Sequence, residues 1–352
     1  MMKKHYGKYL PLIALLPAVG LVGCGGSGSD GASGGSRTVG VVKSATPTSA
    51  QIGSVQFNTA STSVSGDTDV IEPGMIVSVD GSVDSSGKTG TARHIDYDAE
   101  VEGKVISNDC MGTLPCSMDV MGQTIQINDT THFRTRMAGV DSVHMIMAGA
   151  YVEISGYSDG NGNIVATYVK VEDDHMESHY GMEVEGKITN LTDSTFEIGG
   201  QMIHYDPSMI NLTLQEGMHV EVYLRDDGMG NMHAIDVELE DDYGDDSHEG
   251  DEVEIEGMVT SDGVAADGTF EINGQTVKLG DNVRYEGGLT QADIVNGAII
   301  EVEGYRDENG MLIVDEVGSE DDDDDSDDST DDSSSSDSSS SDSSDDLTPT
   351  PL

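Results

Sequence analysis

Methionine beside histidine is the pairing in this chain most open to a chemical reading. The chain has 18 methionines. They flank histidine at His144-Met145-Ile146-Met147, His175-Met176, Met218-His219 and Met229-Gly230-Asn231-Met232-His233. Soft thioethers with imidazole favour Cu(I), which makes His144, Met145 and Met147 a candidate copper set. Carboxylates are the second candidate, since hard oxygen ligands suit Ca2+. Turns such as Asp159-Gly160-Asn161-Gly162-Asn163 supply them. Hairpin turns favour the same residues because they tolerate positive φ, and no twelve-residue loop with a closing Glu is present. Copper or calcium binding is therefore the alternative reading, and the main reading requires no cofactor. Enzymatic chemistry has less to stand on. Gly31-Ala32-Ser33-Gly34-Gly35 matches a nucleophile-elbow pattern, but it sits in a Gly/Ser stretch rather than between a strand and a helix. The chain holds no His-Glu-x-x-His pair and no phosphate-cradling glycine loop leading into a helix. The expectation is a non-enzymatic protein.

The three cysteines divide by position. Lys3, Lys4 and Lys8 precede an apolar run through Leu12, Ile13, Leu15, Leu16, Val19 and Val22. Those are the n- and h-regions of an export signal over residues 1–23, too short to span a bilayer comfortably as a permanent helix. Leu21-Val22-Gly23-Cys24 resembles the bacterial lipobox, which implies cleavage before Cys24 and acylation of its thiol. Each buried CH2 contributes roughly 0.8 kcal/mol and a single chain is not enough, so several acyl chains on Cys24 would make the membrane the first partner. Gly25, rather than Asp, after the cysteine is similar to the sorting pattern of outer-membrane lipoproteins. Residues 24–36 read as a Gly/Ser tether. Cys110 and Cys116 remain as a pair, and in an oxidising compartment a disulfide is expected. It would close Cys110-Met111-Gly112-Thr113-Leu114-Pro115-Cys116 and contribute about 2 kcal/mol by loop entropy. A zinc site is the rival reading, but two cysteines with no second pair nearby make a poor zinc cage.

The elements that must position these residues follow from composition and repetition. Acids outnumber bases 67 to 16, for a net charge of −51, which repels phosphate backbones and argues against nucleic-acid partners. With no Trp and only four Phe, several small cores are more plausible than one large one. The chain then repeats itself. Val101-Glu102-Gly103-Lys104-Val105 recurs as Val184-Glu185-Gly186-Lys187-Ile188 and Ile255-Glu256-Gly257-Met258-Val259, with a weaker copy at Thr38–Val42. Thr195-Phe196-Glu197-Ile198 recurs as Thr269-Phe270-Glu271-Ile272, with Ser117-Met118-Asp119-Val120 in that place in another copy. Gly74, Gly149, Gly217 and Gly297 are each followed by Val or Ile at +3 and +5. At +7 stand Gly81, Gly156, Leu224 and Gly304.

Period-two alternation bounded by Gly/Asn/Asp turns indicates antiparallel strands with one buried face. About five strands per unit, with a glycine inside the first to permit a bend, suit a small OB-like barrel. The fold class expected is all-β, as tandem OB-like barrels at 37–98, 99–174, 181–241 and 251–318. Acidic linkers separate them, and a Ser/Asp-rich tail at 319–352 is expected to be disordered. These motifs resemble the domain of unknown function 5666 family over residues from about 37 to 317. The resemblance implies OB-like modules on a bacterial lipoprotein and brings no activity with it. The first copy departs most, with Val39 in place of the Glu.

The reading is thus an outer-membrane lipoprotein serving as a binding or spacer scaffold, with its barrels strung along charged linkers and an envelope glycan or protein as ligand. Internal comparison weakens the copper set. Ile146 aligns with Ile71, Leu214 and Ile294 as a core anchor, while Met145 and Met147 have no repeated counterpart. Thiol-labelling mass spectrometry of the unreduced protein is expected to find Cys110 and Cys116 protected; two free thiols would overturn their pairing.

Overall fold

The computed structural model describes residues 36–68, 70–135, 137–159, 162–172, 182–239, 251–307 and 309–319. The export signal, Cys24, the tether up to residue 35, His175, Met176 and the acidic tail from residue 320 lie outside these residues. So do linker residues 173–181 and 240–250.

Each of the four units runs the same path. An opening strand comes first: Ser36–Thr46, Val101–Asn108, Glu183–Lys187 or Glu252–Met258. A hairpin follows, made by Ser49–Ile52 with Val55–Asn58, Cys116–Val120 with Gln123–Ile127, Thr195–Ile198 with Gln201–His204, and Thr269–Ile272 with Gln275–Tyr285. The return strands are Ile76–Val83, Tyr151–Ser158, His219–Asp226 and Ile299–Arg306. The closing strands are Thr89–Tyr97, Asn163–Val171, Met232–Leu239 and Leu312–Gly318. Return strands pair antiparallel with opening and closing strands. The second hairpin strand pairs parallel with the closing strand. Ladders in units 1 and 2, and the bridges Thr189–Glu197 and Val259–Ile272 in units 3 and 4, join opening strand to hairpin. The result is a five-stranded ring of OB-like order. Units 1 and 2 add a sixth short strand, Ser63–Gly66 and His132–Thr135.

The repeated residue types have local causes. The apolar pair of each return strand points inward: Val77 and Val79, Val152 and Ile154, Val220 and Val222, Ile300 and Val302 are all buried. Phe196 and Phe270 fill their barrels from the hairpin, and Met118 does so in unit 2, a flexible side chain standing in for an aromatic one. The glycine at +7 sits where the return strand slips register against the closing strand. That slip falls at Asp80/Gly81, Ser155/Gly156, Tyr223/Leu224 and Glu303/Gly304. Such bulges sharpen the twist that closes a small barrel. A Cβ on Gly304 would lie 2.0 Å from the Ile313 carbonyl oxygen, and one on Gly156 would lie 2.5 Å from that of Val165. Unit 3 keeps the bulge with Leu224, whose side chain joins the core.

The glycine of the opening strand has a different purpose from the bend expected of it. In units 1 and 2 the opening strand slips register further on, at Val42/Ser44 and Val105/Ser107. Gly103 and Gly257 instead leave room for the hairpin turn, because an added Cβ would meet the Met121 side chain or the Asn273 side chain at 2.5 Å. The first two signatures are therefore two halves of one contact.

The barrels are not strung out. The opening strands of units 1 and 4 pair parallel, from Ser36 opposite Glu252 to Val39 opposite Ile255. Ser36 thus begins a strand rather than ending the tether. The opening strands of units 2 and 3 pair antiparallel, with Glu183 opposite Glu102 and Val184 opposite Val101. Units 2 and 3 share one apolar core, Val39 and Ile76 pack into the core of unit 4, and Tyr168 of unit 2 packs into that of unit 1. The charge of the linkers suggested separation, whereas the join is made by strands and apolar side chains that the linkers do not contain. Gly304→Ala is expected to destabilise the protein by about 2–4 kcal/mol, measured by denaturant unfolding; parental stability would show that the close approach is not needed.

Candidate functional site

In units 2, 3 and 4 the Glu of the opening-strand motif follows an inward Val or Ile, so strand alternation turns it outward. The return strand alternates likewise. Their register sets like charges face to face: Glu102 opposite Glu153, Glu185 opposite Glu221, Glu254 opposite Glu303, and Glu256 opposite Glu301. Carboxylates directly opposite one another destabilise a sheet. Pairing between units then covers this face. Glu153, Glu183, Glu221, Glu254 and Glu256 are all buried.

Part of the charge is answered by protein groups. Lys170 Nζ lies 2.5 Å from both Glu153 Oε2 and Glu172 Oε1. The Tyr97 hydroxyl of unit 1 donates to Glu153 Oε1 of unit 2 at 2.9 Å, and the Tyr157 hydroxyl of unit 2 donates to Glu256 of unit 4. Ser54 donates to Glu254 Oε1 at 3.2 Å. Polar contacts at the edges join further units: Arg134 to Glu72 (units 2 and 1), Lys104 to Asp226 (2 and 3), and Lys187 to Glu271 (3 and 4). Where units 1, 2 and 3 meet, the carboxylates of Asp67, Glu102 and Glu183 converge, each offering an oxygen within 4.8 Å of the others. Asp67 comes from a loop fixed by the Tyr97 strand. Its N–H donates to the Tyr97 oxygen at 2.9 Å, and its Oδ2 accepts from Ala99 N–H at 2.8 Å.

The residues singled out from sequence lie elsewhere. Cys110 and Cys116 are joined in a disulfide. His144 has a ring nitrogen within 4.8 Å of both sulfurs. As a disulfide, these sulfurs are not thiolate ligands. His144 Nδ1 accepts from Gly112 N–H at 3.3 Å, while Met145 and Met147 are exposed, the latter by 77%. Ile146 is buried in the core of unit 2, as is Ile294 in unit 4. Asp67, Glu102 and Glu183 were not singled out. Glu102 was visible only as a repeat marker, and which strand faces it is a matter of long-range register.

A family model described as a domain of unknown function, DUF5666, matches the chain four times, over residues 39–96, 102–170, 185–238 and 256–317. No curated protein matches the sequence. Among solved structures, the chain is similar to drosophila Unr CSD456 at 12% identity, over 62% of this chain and 95% of that one. The TM-score of 0.16 is too low for that likeness to carry any argument.

Enclosure of so many acids has a pH consequence. Burial pushes Glu221 up to about 7, with a Tyr223 hydrogen bond opposing and other carboxylates adding to the rise. Burial and then Glu301 raise Glu254. Both hold protons when folded at pH values where an ordinary glutamate, near 4.5, has lost them. Their stabilisation is therefore full below that value and is lost as pH rises through about 7 for Glu221. In the presence of a chelator, the melting midpoint is expected to fall between about pH 5 and about pH 8, with a shallower fall for Glu221→Gln. A parental midpoint that is flat or rises over this range would contradict the burial of these acids.

Proposed function

This chain belongs to the DUF5666 family, with four copies in tandem, and we propose that it is a non-enzymatic cell-envelope lipoprotein whose barrels form one binding scaffold. The observation that carries the reading is the pairing of opening strands between units 1 and 4 and between units 2 and 3. It fixes unit 1 against unit 4 and unit 2 against unit 3, which suits a surface held ready for a ligand better than a flexible spacer.

Attachment in this reading is through acyl chains on Cys24, with the outer membrane as the location favoured by Gly25. Among the described residues no helix is long and apolar enough to cross a membrane. A cleft of about 520 Å3 between units 1 and 4 offers one place for a ligand, lined by Arg37, Ser86, Glu252, Arg284, Glu303 and Glu316. Its volume falls within the range of small-ligand sites. Charges of both signs beside hydroxyls suit a hydroxyl-rich envelope glycan, with an envelope protein as the competing ligand. The net charge of −51 disfavours nucleic acid.

Expression of the full chain in a Gram-negative host with labelled palmitate tests the attachment. The parent is expected in the outer-membrane fraction carrying label, and Cys24→Ser is expected to carry none. A variant that retains the label, or a parent found only in the soluble fraction, would falsify the lipoprotein reading.

A further inference from the structure

We propose that Asp67, Glu102 and Glu183 form a binding site for one Ca2+ ion, held where units 1, 2 and 3 meet. Three carboxylate oxygens within 4.8 Å of one another lie close enough to share one ion. Mg2+ is usually held by one or two carboxylates and keeps several waters, so a set of three carboxylates suits Ca2+ better. The donor set is all oxygen and carries up to three negative charges, the chemistry of a hard divalent cation and not of a soft one such as Cu(I). Water would complete the six to eight oxygens Ca2+ takes.

A second observation points to a ligand. Glu183 is 2% exposed, and its Oε1 has no hydrogen-bond partner. A buried carboxylate oxygen left this way is costly, and the hydrogen bond between the Glu183 and Asp67 carboxyls requires a proton that a cation would replace. The nearby Lys170 is engaged at 2.5 Å by Glu153 and Glu172. A cation between the three would satisfy Glu183 and reverse the sign of the interaction among them.

The backbone holds the three carboxylates in place. Glu102 and Glu183 are direct partners in the antiparallel register between the opening strands of units 2 and 3. Asp67 follows Gly66, whose φ is +87° and where a Cβ would lie 1.9 Å from the Tyr97 carbonyl oxygen. Only glycine fits there, and the turn it makes delivers Asp67 to the junction. One ion would thus tie unit 1 to units 2 and 3, which strand pairing joins only to each other. Binding does not depend on the scaffold reading, since membrane attachment and cation affinity are measured separately.

Calorimetric titration of Ca2+ into the detergent-solubilised full chain tests the site, after chelator treatment and in millimolar Mg2+ at physiological salt to occupy the tail. One saturable event per chain is expected, together with a melting midpoint that rises with Ca2+ concentration. Asp67→Asn and Glu102→Gln are each expected to weaken that event by at least about tenfold. Asp193→Asn, the same charge change on an exposed loop, is expected to leave it intact. In chelator the two site variants are expected to melt at or above the parent, because a repulsive charge has gone, which separates loss of the ion from loss of the fold. A parent with no such event, or site variants that retain it at parental affinity, overturns the proposal.

Discussion

The opening strand of each barrel has two edges, and neither is left to water. One edge pairs with the return strand of the same barrel, and part of the other pairs with an opening strand of a different unit. The first pairing makes a barrel and the second joins the barrels in two pairs, between which apolar side chains and tyrosine hydrogen bonds cross. Because alternation has already sent the glutamates outward, the second pairing encloses them. The buried Lys170, the tyrosine hydroxyls that cross between units and the raised carboxyl pKa values all follow from that enclosure. Enclosed ions seldom add stability by themselves. Here they accompany apolar contacts that do, such as the single core shared by units 2 and 3 and the burial of Tyr168 in unit 1.

The local part of this design was legible in the sequence. The all-β class, the repeat count and the inward residues of each return strand could be read from period-two alternation and turn glycines, because those signals are confined to a few adjacent positions. Recurrence of the Val-Glu-Gly element also marked an important strand. Its partners were out of reach. Nothing in Val39 or Ile255 announces that the two lie side by side, and a register is defined only when both strands are known. The charged linkers argued for barrels held apart, yet the joining surfaces lie inside the repeats, at residues such as Val39, Ile76 and Tyr168.

The candidate site followed the same division. Glu102 was visible as a motif residue, and Glu183 as the residue before one. Asp67 sat in a Ser/Thr-rich stretch with no motif at all, and its position depends on Gly66 lying against the carbonyl of Tyr97. The histidine–methionine pairs were conspicuous by type, but type does not bring side chains together. Met147 points to solvent, Met232 belongs to the core, and His144 is engaged by a backbone amide beside the disulfide.

The union of the first and last barrels bears on how the body is assembled. The opening strand of unit 1 finds its partner about two hundred residues later in the chain, a separation also spanned by the Ser54–Glu254 hydrogen bond. Translation delivers unit 1 first, so the backbone groups of Ser36 to Val39 that later meet unit 4 wait as a bare strand edge until the rest has been made. Such an edge is a template for pairing with other chains, and contacts of this range form slowly. Unit 1 has little charge to hold copies apart in that interval, with seven acids against four bases over residues 36–98. The opening strand of unit 1 is thus an edge open to mispairing until unit 4 has been made, and the order of the repeats along the chain sets how long that lasts.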